Sequence, residues 1–283
     1  PRQVSEESGH AALLSVHRSL VGHDARMASI GFLGVGTISE AMVRAMAQRE
    51  GAADALMLSP RSAERSERLA DEFTQCERLD SNQEVIDASD IVVLGMRPQQ
   101  VDEALAHLRF RDDQVIASLI AGTPPSGIAP LVAPATRVCQ LIPLPAISLR
   151  RGPLVISPPL PEVVRAMEGL GEVVTLDDES LIRTLSCASA FMSTYYEMQN
   201  ALIDWIAAQG IDDETASRYI RAELDGRAAV GWATPDSERA ELPLEHQTKG
   251  GLNERVRARL LETGWFDNLV GAIDDTYRTA RLR

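Results

Sequence analysis

The segment Ile30-Gly31-Phe32-Leu33-Gly34-Val35-Gly36-Thr37-Ile38-Ser39 restricts what this chain can fold into more than any other. A short apolar run, Ala28–Leu33, meets two glycines, and a stretch of helical spacing, Thr37–Arg49, follows at once. Gly34-x-Gly36-x-x-Ser39 is the pattern of a strand turning tightly into a helix. The first glycine makes the turn and the second lets backbone approach a pyrophosphate. The third position needs only a small side chain for close packing, which Ser39 supplies. Free N–H groups at the helix start then stabilise the phosphate charge. Glycines are common in turns, so a purely structural turn is the competing reading. Context favours the dinucleotide loop: the motif follows a strand, opens a helix and begins a serial β/α alternation.

That alternation continues. Ala55–Leu58 is apolar, Arg61–Phe73 is helical, and Asp90–Met96 (DIVVLGM) is the clearest buried strand. Gln100–Leu108 is helical, and Gln114–Ile120 and Thr136–Ile142 read as strands around a helix at Pro125–Leu131. Strands separated by helices pair in parallel through right-handed crossovers. The expected fold class is therefore α/β, a doubly wound, Rossmann-like parallel sheet. The Pro/Gly-rich stretch Pro143–Pro161 breaks the rhythm, and a last strand pair, Leu154–Ser157 and Glu172–Leu176, brackets a helix at Glu162–Leu170. After Asp177 the pattern is helical: Glu179–Gln209, Asp213–Trp232, Pro235–His246, Asn253–Thr263 and Trp265–Arg281. Three parts result. Residues 1–26 read as an N-terminal extension or expression leftover, with Met27 directly before the first strand and a short helix around Ala11–Leu20. Residues 27–176 form the dinucleotide-binding domain, and 177–283 an all-α domain for substrate and dimerisation.

Composition narrows the partners. Lys and Arg number 28 and Asp and Glu 41, a net charge of −13. Such a surface repels phosphate backbones and argues against nucleic acid. Apolar residues at 45% and charged residues at 24% suit a globular chain, not a disordered one. No apolar run approaches the roughly 18 residues of a membrane span, and residues 1–26 lack the apolar core of an export signal. Cys76, Cys139 and Cys187 are odd in number and far apart, which speaks for a reducing cytoplasm and against a disulfide framework. Without C-x-x-C or H-x-x-x-H, no metal site is expected.

The end of the second strand bears on cofactor choice. An NAD site places Asp or Glu there to bind the ribose 2′-hydroxyl. This chain reads Leu58-Ser59-Pro60-Arg61-Ser62, with no acid. Arg pairs well with phosphate, so a 2′-phosphate, and hence NADP(H), fits better. The bland alternative is a surface Arg in the first turn of a helix.

At these residues the chain resembles the pyrroline-5-carboxylate reductase family. Ile30–Met42 (IGFLGVGTISEAM) is similar to that family's opening fingerprint, and Asp90–Gln99 (DIVVLGMRPQ) to its fourth strand, with Arg97 where Lys is usual. Ser118–Gly122 (SLIAG) resembles the strand before the nicotinamide pocket, and Glu172–Ser186 (EVVTLDDESLIRTLS) the entry to the dimerisation helix. Thr248–Asn253 (TKGGLN) falls where the family has Ser-Pro-Gly-Gly-Thr-Thr. The colinear match covers roughly residues 28–280. It implies hydride transfer from NADP(H) to the C=N carbon of a small, carboxylate-bearing cyclic imine, in a homodimer or higher homo-oligomer interlocked through its all-α domains. By position it assigns cofactor contacts to Gly34, Gly36, Thr37, Ile38, Ser59, Arg61, Asn82, Met96, Arg97, Pro98, Ala121 and Gly122. Substrate contacts fall on Gly250, Gly251, Leu252 and Asn253.

Three departures lie on the substrate side. Pro143-Leu144-Pro145-Ala146 replaces Pro-Asn-Thr-Pro, Ser186–Met192 replaces Ser-Gly-Ser-Gly-Pro-Ala-Tyr, and Leu252-Asn253 replaces the paired Thr. They leave open a related reductase of another imine or keto acid, or a non-catalytic NADP-binding sensor or scaffold. Gly250-Gly251 before a helix offers backbone N–H groups for a carboxylate, or simply a helix-to-helix turn capped by Asn253. Lys249, the only lysine in the chain, steadies an anion or is a solvated loop residue. His246 reads as a proton donor or as a helix-end charge. Tyr195 and Tyr196 read as substrate contacts or as packing. No residue is assigned as catalytic from the sequence.

Overall fold

A computed structural model of the chain describes residues 28–49 and 55–279; the reading of residues 1–26 and of Met27 lies outside them. The chain divides into two compact units, one ending at Asp177 and the other starting at Asp178.

The first unit is built on eight strands: β1 (Ser29–Leu33), β2 (Ala55–Leu58), β3 (Cys76–Arg78), β4 (Ile91–Leu94), β5 (Val115–Ser118), β6 (Arg137–Pro143), β7 (Pro153–Ser157) and β8 (Glu172–Thr175). Their order is β3-β2-β1-β4-β5-β6-β7-β8. All neighbours run parallel except β6 and β7. The expected doubly wound sheet is thus present, and its order reverses between β1 and β4. The chain from Pro143 to Pro153 is shorter than the dozen or more residues a parallel crossover needs, so β7 returns antiparallel. Arg150 (φ 55°) and Gly152 (φ 80°) turn it.

Helices α1 (Thr37–Ala47), α2 (Ala63–Glu72), α3 (Asn82–Asp87), α4 (Val101–Leu105), α5 (Pro125–Ile128) and α6 (Pro161–Met167) cover the two faces. The register explains why central strands are apolar throughout. Ile30 pairs with Ile91 and Phe32 with Val93, and these side chains pack with Met42, Val43 and Met46 of α1. The alternate residues Leu33, Val92, Leu94 and Ile116 face the other layer with Val85, Ile86, Val101 and Leu105. A strand buried on both faces has no room for polar alternation, and β4 is buried at every position.

Two elements escaped the sequence pattern, β3 and α3. β3 reads Cys-Glu-Arg, too short and too charged to register as a strand. α3 carries a legible signal: Ser81 caps it, its Oγ accepting from Glu84 N–H at 3.2 Å, while the Glu84 carboxylate accepts from Asp80 N–H at 3.1 Å. Ser-x-x-Glu is the capping-box spacing.

The second unit is all-helical: α7 (Ile182–Ser189), α8 (Met192–Ala208), α9 (Asp213–Ala233), α10 (Leu242–Glu245), α11 (Leu252–Glu262) and α12 (Trp265–Thr279). Two expectations are corrected. The single helix over 179–209 is interrupted after Ser189, whose hydroxyl donates back to Leu185 O at 2.9 Å, a bond that bends helices. The helix expected over 235–246 is only a 3-10 turn at Asp236–Glu238 and the short α10. Pro243 has no N–H to give and its ring clashes with a preceding turn. Among the described residues no helix is long and apolar enough to cross a membrane.

Candidate functional site

The site of the first unit lies at the carboxyl ends of β1, β2 and β4. β1 ends at Leu33, Gly34 turns the chain with φ 97°, and α1 begins at Thr37 with Gly36 as its N-cap. No side chain caps α1, so its first N–H groups have no partner from that end. Ser59 at the end of β2 is fully buried, and its Oγ accepts from Gly34 N–H at 2.9 Å. Its N–H in turn donates to Phe32 O at 3.1 Å, and Ser66 Oγ donates to Ser59 O at 2.8 Å. Ser59 therefore stands behind the loop and holds it.

Gly95, at the end of β4, packs against the same loop. A Cβ there would lie 2.3 Å from Ser39 Oγ and 2.5 Å from Gly34 O. The sequence reading missed this residue, although a glycine directly after the buried run of β4 was a visible signal of close backbone approach. At Gly36, by contrast, the nearest atom to an added Cβ is Gly95 O at 3.9 Å. Gly36 leaves open space above the helix start, a cradle of the kind a pyrophosphate needs and a side chain would fill.

A cleft of about 340 Å³ opens here and brings together Gly34, Gly36, Arg61, Asn82, Met96 and Arg97. Ser62, Gly95 and Gln100 join its wall. Among the described residues, two guanidinium groups line it and no carboxylate does, in a chain of net charge −13. Thr37 and Ile38 form the first turn of α1 and Pro98 starts the 3-10 turn Pro98–Gln100, beside the cleft and not on its wall. Ala121 and Gly122 (φ 75°) follow β5 and do not line it.

Glu40 is the nearest acid along α1, and it is neutralised. Arg68 (2.7 Å), Arg44 (3.2 Å) and Arg65 (3.6 Å) surround its carboxylate. Burial pushes its pKa up, but the hydrogen bonds from Arg68 and Arg44 outweigh that and hold it below its ordinary value. Arg65 also donates to Thr37 Oγ1 at 3.3 Å. Cys139 lies in the sheet interior, where burial pushes its thiol up to about 12, an inert packing group.

In the second unit, Gly250 (φ 74°) and Gly251 precede α11, with Gly251 as N-cap and Leu252 as first residue. Their N–H groups are engaged within the unit: Gly250 donates to the Glu254 carboxylate and Gly251 to Thr248 O at 2.8 Å. Asn253 Nδ2 donates to His246 O at 2.6 Å. Leu252 and Asn253 line an apolar groove of about 880 Å³ shared with Trp205, Tyr219, Val256 and Phe266. His246, which follows α10, stands on the same wall, its Nδ1 2.9 Å from the carbonyl oxygen of Leu242, the first residue of that helix. Lys249 is exposed. Tyr195 and Tyr196 meet edge to face at 5.5 Å.

Comparison with known proteins follows this division. The family described as NADP oxidoreductase coenzyme F420-dependent matches residues 29–122. The pyrroline-5-carboxylate reductase of Pseudomonas aeruginosa is 25% identical over 252 residues, 85% of this chain and 91% of that protein. The 1-pyrroline-5-carboxylate reductase of Streptococcus pyogenes superposes with a TM-score of 0.76 at 21% identity, covering 90% of this chain and 98% of the other. The Plasmodium falciparum pyrroline carboxylate reductase, solved with NADP bound, gives 0.74 at 15% identity over 90% and 97%. The solved structures share the fold, a doubly wound sheet followed by a helical region.

Proposed function

We propose that this chain reduces the C=N bond of a small cyclic imine bearing a carboxylate, of the pyrroline-5-carboxylate kind. The premise is that the chain is a divergent relative of the pyrroline-5-carboxylate reductases, an oxidoreductase whose cofactor is NADP(H). The observation that carries the cofactor half is the cleft above Gly36, with Arg61 and Arg97 on its wall and no acid among the described residues. The first-turn N–H groups of α1 would hold the pyrophosphate. Arg61, with Ser62, would take the 2′-phosphate, and Arg97 would add a second cation at the mouth. When bound, the reduced nicotinamide supplies a hydride. A protonated imine is already cationic, so the chain needs no strong base; its residues position the two reactants, which alone can supply much of the acceleration.

Leu252 and Asn253 are the substrate-side residues of this reading, with Gly250 and Gly251 forming the turn that presents them. The helical unit would work as a homodimer. Leu144 and Leu252 stand where the family's polar residues would be, and they favour as second reading a more apolar imine or keto acid. The test is loss of NADPH absorbance with pyrroline-5-carboxylate. Turnover supports the first reading. NADPH binding with turnover only of another imine or a keto acid supports the second, and binding with no turnover leaves an NADP-binding protein without catalysis. Asn253→Ala should raise KM for the imine by more than the tenfold that corresponds to about 1.4 kcal/mol, with NADPH affinity unchanged.

A further inference from the structure

A row of polar side chains crosses the sheet interior at the carboxyl end of β5. Ser118 is the register partner of Gln140, and Gln140 of Ser157. All three are buried, at 0%, 5% and 0% exposure. Val138 of β6 and Ile116 of β5, two residues earlier on the same face, are apolar and pack into the core. Burying polar groups is unfavourable unless they bond something that needs them. Two of these do, and they bond the same residue. Ser118 Oγ accepts from Ile120 N–H at 3.2 Å, and Gln140 Nε2 donates to Ile120 O at 3.2 Å. Ser157 Oγ has no hydrogen-bond partner among the described residues.

Ile120 lies two residues beyond β5 in the segment that carries Ala121 and Gly122, and its own side chain is fully buried. Both of its backbone polar groups are therefore held by side chains from β5 and β6, although no strand pairs with it. In a doubly wound sheet the dinucleotide lies across the carboxyl ends, one nucleotide over each half. Arg61 and the glycine loop occupy the β1–β2 half, so the other nucleotide reaches the ends of β4, β5 and β6. The segment clamped by Ser118 and Gln140 is there.

We infer that Gln140, with Ser118, is a positioning residue for the nicotinamide end of the cofactor, acting through Ile120 on the backbone of Ala121 and Gly122. This rests on the NADP(H) reading above and adds a residue to it. The side chain needs reach, one N–H donor and a buried seat, and Gln supplies them without a charge to desolvate.

The experiment separates the two halves of the cofactor. Calorimetry gives the affinity of the full chain for NADPH and for 2′,5′-ADP, which has the adenosine half and no nicotinamide. Gln140→Met keeps the volume and removes the donor. We expect the margin by which NADPH outbinds 2′,5′-ADP to shrink roughly tenfold, with the 2′,5′-ADP affinity unchanged within about twofold. In turnover, kcat should fall by about ten- to a hundredfold, the scale of a small misplacement of reacting atoms. An unchanged margin overturns the inference. Equal weakening for both ligands also overturns it, since that marks a folding role. If Gln140→Met does not fold, Ser118→Ala removes only the acceptor of the same clamp and must narrow the same margin; no change there overturns the inference as well. A wild-type chain that binds neither ligand would instead overturn the NADP(H) reading, with Gln140 and Ser118 reduced to structural residues.

Discussion

The two units treat apolar surface in opposite ways. The sheet unit buries its large side chains on both faces, from Phe32 and Met42 on one to Leu94 and Ile116 on the other. In the helical unit only Ile182, Cys187, Ala216, Ile220 and Leu224 are buried apolar residues among those described, while Trp205 (64% exposed), Trp232 (75%) and Leu252 (77%) face outward. Trp205 and Leu252 share one apolar groove; exposed apolar surface of this kind marks an interaction site, and a helix apolar on several sides belongs inside a larger core. The contrast teaches that the sheet unit encloses its own core, whereas the helical unit leaves apolar surface that the proposed homodimer would cover. A second copy of the same chain is the economical source of that cover.

The hardest way to break the contrast is at Gly95. Gly95→Val would drive a side chain into the Ser39 hydroxyl and the Gly34 backbone carbonyl, which the turn holds in place. We expect several kcal/mol of destabilisation and complete loss of NADPH binding. A stable variant that still binds NADPH would show that the loop tolerates more than the geometry allows. Next in size is Trp205→Asp in the α8 wall of the groove. Loss of a central aromatic anchor costs roughly 2–4 kcal/mol of association, so sedimentation should show dimer giving way to monomer while NADPH affinity stays within a few-fold. A wild-type chain that sediments as a monomer at micromolar concentration removes the homodimer altogether.

Smaller effects sharpen the nucleotide side. Arg61→Ala should weaken NADPH by about 1.5–3 kcal/mol, the scale of a hydrogen bond to a charged group, and leave NADH nearly unchanged; equal losses would move the 2′-phosphate away from Arg61. The smallest effect belongs to Glu40. Its folded-state pKa lies below the ordinary 4.5, so its stabilisation is fully present above that value and is lost as the pH falls through the lower, folded one. Because its Arg partners are partly exposed, the contribution is about 1 kcal/mol at most. Glu40→Gln should therefore lower the urea midpoint slightly at neutral pH and not at all in strong acid.

How legible each part was follows from how local its causes are. The strand-to-helix turn at Gly34 and the strand of β4 were readable because each is specified by its own consecutive residues. The carboxyl-end clamp was not, since Ser118 and Gln140 meet only through the β5–β6 register. Ser59 was readable as a position at the tip of β2, but its role behind the loop depends on the fold of Gly34 above it. The turn at Gly250 was visible, yet the engagement of its N–H groups by Glu254 and Thr248 was not. That engagement limits what a substitution in the turn can report. A Cβ at Gly251 would lie 2.3 Å from Thr248 Oγ1, so Gly251→Val disturbs the turn itself and cannot report on substrate alone; Asn253→Ala adds no clash but gives up the bond to His246 O, so its NADPH affinity and fold are read beside KM.

The solitary, exposed Lys249 has a practical side. A protease specific for lysine has one cleavage site in this sequence, directly before the Gly250-Gly251 turn. Amine-directed dyes likewise meet a single side chain there. The chain thus carries its own one-site reporter: the rate at which that bond is cut, with and without an imine or amine carboxylate present, measures whether anything settles on the turn.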